Sequence, residues 1–175
     1  MNANNRVLGV VLAAGASSRM GTSKMALAWG NSSVLETTLS NVTQSSAADT
    51  VLVTGGYRQL VESLPAVAQT KRVHNADYAA GEMISSMKLA LKWVQSRSEL
   101  PSAVFILPVD MPFVTADTID QIIQTSKQHP DLIIAPTHDV RRGHPVLFPL
   151  EIFEKFETLP ADSAPRDLLK EHKSS

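Results

Sequence analysis

The sequence predicts an α/β protein built as a single-domain, three-layer Rossmann-like fold: a mostly parallel sheet with helices on both faces. Three observations predict it. Apolar runs without polar alternation recur along the chain, which is how strands covered on both faces read. Between them lie segments whose apolar residues recur at helical spacing. The runs stop abruptly at Gly or Pro, as strands feeding loops do. With 175 residues, 43% of them hydrophobic, the chain is long enough for one domain with a sizeable core.

The first strand is VLGVVLAA, which begins at Val7 and runs out at Gly15. Val34, Leu35, Thr38, Leu39 and Val42 then mark a helix. Residues 50–54 (TVLVT) read as a second buried strand, ended by Gly55-Gly56. Residues 57–64 suit a short helix closed by Pro65, and residues 71–74 a weak third strand. Ile84, Met87, Leu91 and Val94 define one helix face. Residues 103–107 (AVFIL) form a strand ending at Pro108. Thr115 reads as an N-cap, with Asp117 and Asp120 near the positive end of the helix dipole. Ile119, Ile122, Ile123 and Ser126 form that helix's inner face. Residues 131–135 (DLIIA) read as another buried strand and residues 145–148 (PVLF) as a last extended piece. Helices are expected near 151–157 and 165–170, and a frayed polar end at 171–175.

Composition excludes several classes. A formal charge of −1 gives no pull toward nucleic acid or a membrane surface, and aromatic residues at 5% give no stacking platform for single strands. The absence of cysteine removes disulfides, thiolate metal sites and cysteine nucleophiles, and suits the cytoplasm. The first apolar run is too short to span a bilayer, which takes ~20 residues. Read as a secretion signal, Ala14-Gly15-Ala16 is the cleavage site, but cleavage removes the strand on which the α/β pattern depends. Gly15 and Gly21, with Arg19 and Met20 between them, do not fit the dinucleotide fingerprint.

Ligands on parallel sheets bind beyond the carboxyl ends of the strands. Loops 14–24, 55–58, 75–86 and 108–113 all follow strands and should converge on one rim. The first carries Gly15, Ser17, Ser18, Arg19, Gly21 and Lys24: exposed amides and hydroxyls followed by two cations, a combination that grips polyphosphate. Asp110, stiffened by prolines in PVDMP, suits Mg²⁺, which takes one or two carboxylates plus substrate phosphates. Ser85 and Ser86 fit either N-caps or ligand contacts, with Glu82 turned to solvent or to the helix dipole. His144, beside Arg141, Arg142 and Gly143, fits a phosphate donor, a proton shuttle or a rim histidine bonded to backbone. His74, His129, His138 and His172 have no metal-ligand spacing and read as structural.

Taken together, LAAGASSRMGTSK, VTGG, NADYAAGEMISSM, PVDMP and RRGHPVLF resemble the MobA-like nucleotidyltransferase family, whose fold is nucleotide-diphospho-sugar-transferase-like. Within it they are most similar to the molybdenum cofactor cytidylyltransferase branch. The resemblance implies nucleotide contacts through the backbone of Leu12, Ala13, Ala14 and Gly15, with Ser17, Ser18 and Gly55 nearby. It implies that Arg19 and Lys24 hold the triphosphate, that Asp110 binds Mg²⁺, and that the segments with Ser85, Ser86 and His144 face a molybdopterin-type phosphate substrate. CTP is the favoured nucleotide, and a molybdoenzyme client a further partner; neither nucleic acid nor membrane is implied. Transfer to a sugar or polyol phosphate, and a non-catalytic cofactor-binding maturation factor, stand as alternatives.

Three departures from the family pattern are visible. The sequence has Ala164 where the family often has Gly, and GEMISSM in place of the shorter GM-x-x-SL form. The expectation is one domain over 1–175 without the family's C-terminal strand, whose D-x-D-T-P-type segment carries a further metal ligand.

Overall fold

The computed structural model describes residues 5–15, 24–79, 83–139, 141–160, 163, 165, 167 and 168. In chain order the elements are β1 (Val7–Ala13), β2 (Ala28–Trp29), β3 (Ser32–Ser33), α1 (Val34–Gln44), β4 (Asp49–Thr54), α2 (Arg58–Glu62), α3 (Pro65–Ala68), β5 (Lys71–His74) and α4 (Met83–Gln95). They continue with β6 (Ala103–Pro108), α5 (Ala116–Gln128), β7 (Thr137–His138), β8 (Arg141–Arg142), β9 (Val146–Pro149) and α6 (Leu150–Glu154). Short 3₁₀ turns occupy Lys24–Ala26 and Lys155–Glu157.

The central sheet has five strands in the order β5-β4-β1-β6-β9. β1 is its axis, parallel to both β4 and β6, and β5 adds in parallel at one edge. β9 closes the other edge in antiparallel register, with Val146 opposite Ile106. The three-layer, mostly parallel arrangement expected from the sequence is therefore present.

Alternation along β1 builds both cores at once. Val7, Val11 and Ala13 join Leu35, Leu39 and Val42 of α1 and Ile119, Ile122 and Ile123 of α5 on one face. Leu8, Val10 and Leu12 join Ile84, Met87, Leu91 and Val94 of α4, and Phe153 of α6, on the other. Every β1 residue is buried, which explains why the run shows no polar alternation.

The helices start where the sequence supplies caps. Ser33 and Glu36 form a reciprocal capping box at the head of α1: each side chain accepts the other's backbone N–H, at 3.2 Å in both cases. Thr115 caps α5 by accepting from Thr118 N–H. The inner faces expected for α1, α4 and α5 are buried as read. Pro65 is more than a stop signal, because it is the first residue of α3.

One expected strand is absent. Residues 131–135 form no named strand; Ile134 alone makes an antiparallel bridge to Leu147, by two hydrogen bonds of 3.0 and 2.8 Å. Asp131 and Leu132 are exposed. The segment bridges to the outer edge of β9 at a single residue and then turns into the β7–β8 hairpin, so its apolar side chains are only partly covered.

Candidate active site at the carboxyl ends of the strands

The cleft forms where β1 and β6 end side by side. Their ladder runs one residue past the end of β6: Val109 N–H donates to the Leu12 carbonyl at 3.0 Å. Leu12, Ala13, Ala14 and Gly15 form one wall and Pro108, Val109 and Asp110 another. Lys24 and Met25, Tyr78, and Met83 and Ser86 of α4 complete a cleft of about 300 Å³. The volume matches the lower end of small-molecule sites, and the floor is largely apolar with few polar groups, the usual composition of such sites.

Helix α1 fixes the loop that carries Asp110. The buried Thr38 hydroxyl lies 2.9 Å from the Val34 carbonyl and 2.8 Å from the Val109 carbonyl, to which it donates. One turn further, Asn41 Nδ2 donates to the carbonyls of Pro112 (3.1 Å) and Val114 (2.9 Å). Asp110 is thus held between a strand ladder on one side and two helix side chains on the other. Its carboxylate is exposed and pairs with no lysine or arginine among the described residues.

The wall at Ala14 is shaped by a glycine behind it. A Cβ on Gly55 would stand 2.5 Å from the Ala14 carbonyl oxygen and 2.9 Å from Tyr78 Cβ. Real Cβ contacts are not that short, so only glycine lets the β4 loop approach the β1 loop this closely. Gly55 supports the cleft from behind and is not among the residues lining it.

Asn75, just past β5, organises the opposite wall. Its side-chain Nδ2 donates to Ser85 Oγ (2.8 Å) and Ser86 Oγ (3.0 Å), while Oδ1 accepts from Asp77 N–H (3.0 Å). Ser85 and Ser86 are the third and fourth residues of α4, inside the helix and not at its N-cap. Ser86 lines the cleft; Ser85 does not.

His144 arrives from the other edge. β9 is antiparallel, so its first residues lie at the carboxyl end of β6, and the cis His144–Pro145 peptide precedes it. Burial lowers the His144 pKa below its ordinary value, against the opposing influence of the Ile106 backbone and the Asp110 charge. Its Nδ1 is buried and has no hydrogen-bond partner among the described residues. Arg141 and Arg142 are exposed on β8.

Of the residues singled out in the sequence, Leu12, Ala13, Ala14, Gly15, Lys24, Ser86 and Asp110 therefore share one cleft; His144 does not line it. Ser17, Ser18, Arg19 and Glu82 lie outside the described residues. Thr38, Asn41, Asn75 and Tyr78 were not anticipated as site residues. Thr38 was legible only as a core position, and nothing in sequence spacing links it to Val109. Asn75 had a faint signal, the Asn-x-Asp spacing of an Asx turn directly after a strand.

Comparison with known proteins identifies the family and the fold. A family model described as MobA-like NTP transferase domain matches residues 9–175. The chain is 36% identical over 140 residues to the molybdenum cofactor cytidylyltransferase of Escherichia coli (strain K12), covering 79% of this chain and 67% of that protein. Among solved structures it is similar to Rv0371c of Mycobacterium tuberculosis H37Rv, with a TM-score of 0.81, 26% identity and coverage of 95% of this chain and 83% of that one. A manganese complex of Rv0371C matches with a TM-score of 0.79 and 26% identity over 97% and 85% of the two chains.

Proposed function

The chain belongs to the MobA-like NTP transferase family, and from that premise we propose its reaction: transfer of CMP from CTP to the terminal phosphate of a molybdopterin-type cofactor, with release of pyrophosphate. As a nucleotidyltransferase it needs no protein nucleophile. An acceptor phosphate oxygen forms a bond to the α-phosphorus; the bond from that phosphorus to the α,β-bridging oxygen breaks, and pyrophosphate leaves with the electron pair. Two anions must meet in line, so alignment and charge neutralisation are the main demands on the protein.

The observation that carries this reading is the cleft itself. Residues 12–15, Lys24 and the Asp110 carboxylate, which has no ion-pair partner among the described residues, converge at the carboxyl ends of the two central strands. In the proposed complex the β1 loop receives the nucleotide, and Lys24 neutralises charge on the α-phosphate oxygens. Arg19, outside the described residues, is assigned to the triphosphate on sequence alone.

A divalent cation fits the donor set present. Asp110 offers a hard, exposed oxygen ligand next to the expected phosphates, and Mg²⁺ binds through one or two carboxylates plus substrate oxygens and water. Mg²⁺ is the cation we assign; when bound it screens charge on the phosphate oxygens. Ser17, Ser18 and Ser86 are assigned to phosphate contacts and His144 to the acceptor side. A molybdoenzyme that receives the product is the proposed partner, and the cytoplasm the proposed location. Among the described residues no helix is long and apolar enough to cross a membrane.

Pyrophosphate release tests the reading. The purified protein, molybdopterin-type cofactor and Mg²⁺ are combined with CTP, GTP, ATP or UTP in turn. CTP is expected to give the fastest turnover, and Lys24→Ala to reduce kcat by about 10²–10³, the usual cost of one preorganised contact to developing charge. Turnover with sugar or polyol phosphates in place of the cofactor, or unimpaired K24A and D110A variants, would contradict it.

A further inference from the structure

Beneath the cleft, one buried side chain sets the polarity of another. Asn75 is only 5% exposed, and every hydrogen-bonding group of its amide has a partner. Its orientation is fixed chemically. Oδ1 faces the Asp77 N–H, and a flipped amide would set two donors against each other there. The NH₂ group must therefore point at Ser85 and Ser86, with one proton for each hydroxyl.

A serine hydroxyl has a single proton and accepts through its lone pairs. Because Asn75 donates to Ser86, the Ser86 proton cannot be given back to Asn75. Ser86 is 4% exposed and lines the cleft, and no other hydrogen bond of its hydroxyl is present among the described residues. We infer that Asn75 is a positioning residue: it holds the Ser86 hydroxyl as a donor aimed into the cleft, where it takes an anionic phosphate oxygen of a bound substrate. The inference rests on the nucleotidyl-transfer reading of the cleft and adds the device that gives a neutral serine a fixed donor sense. A buried carboxamide suits this task better than a carboxylate, which would draw the serine proton to itself.

The test compares Asn75→Asp, Ser86→Ala and the double variant by steady-state pyrophosphate release, varying CTP and the cofactor substrate separately, with Tm measured for each. N75D keeps an acceptor for Asp77 N–H but turns the donor toward Ser86 into an acceptor. S86A removes the hydroxyl alone. Both single variants are expected to raise KM for one phosphate substrate by about tenfold or more, the scale of a hydrogen bond to a charged group. N75D is expected to add clearly less in the S86A background than alone. The substrate whose KM moves identifies which phosphate Ser86 meets. If S86A leaves both KM values at the wild-type level, or if losses appear only in kcat and follow Tm, the inference is overturned. A wild-type protein that releases no pyrophosphate with any nucleotide would instead overturn the reading of the cleft.

Discussion

Thr38 reaches two carbonyls from one hydroxyl, and only one of them belongs to its own helix. Its position in the 34–42 periodicity marks it as core, and it is fully buried. What periodicity cannot express is the bond to Val109, 71 residues away, that anchors the Asp110 loop. Thr38→Val keeps the shape and leaves the Val109 carbonyl without its partner. The expected cost is about 1–3 kcal/mol in chemical denaturation, the range for stranding a buried polar group. Weaker stimulation by divalent cation should accompany it, seen as a higher Mg²⁺ concentration for half-maximal turnover. Asn75 repeats the lesson, since its partners became visible only once β5 and α4 were placed in space. Leu12, Ala13, Ala14, Gly15 and Lys24, by contrast, were legible as neighbours because they lie close together in the sequence, and Asp110 because it follows directly on the β6 strand.

At the scale of elements, the strongest sequence signals were strands buried on both faces, and these held. β1, β4 and β6 need apolar residues at nearly every position because α1 and α5 cover one side and α4 and α6 the other. The same signal misled at 131–135. A short apolar run does not say whether the sheet has room beside it, and here one bridge to Leu147 is all that forms. Nor does PVLF state its direction; that β9 runs antiparallel follows from a chain that returns along β6. Gly9 shows how tightly the central strands meet their neighbours. A Cβ there would approach Phe105 Cζ to 2.7 Å inside a fully buried core. Gly9→Ala is expected to destabilise the protein by about 1–3 kcal/mol through overpacking, measured as a lower denaturation midpoint with an unchanged m-value.

Across the whole molecule, the two ends of the sheet do different work. At the amino ends of the strands, Asp49 binds Lys71 and, at 3.0 Å, Arg97, whose guanidinium also stacks 5.0 Å over Trp93. This cluster ties β4, β5 and the end of α4 together, far from the chemistry. Asp49→Asn is expected to lower stability by about 1 kcal/mol, less at high salt, while kcat and KM stay unchanged. At the carboxyl ends, His144 makes stability depend on pH. Burial lowers its folded-state pKa, so the unfolded chain binds more protons as pH falls below the ordinary value of about 6.5. Its contribution is present above that pH and is lost as pH falls through the folded-state value. The His144→Gln variant should therefore show a shallower decline of Tm between about pH 6.5 and 5 than the wild type.

Residues 12–15, Lys24 and Asp110 are proposed to form one nucleoside triphosphate site. A crystal structure of the protein with CTP and Mg²⁺ tests it most directly. The nucleotide is expected against the β1 loop, with its phosphates on Lys24 and the cation on Asp110. A nucleotide bound elsewhere, or this cleft empty at saturating CTP, would contradict it.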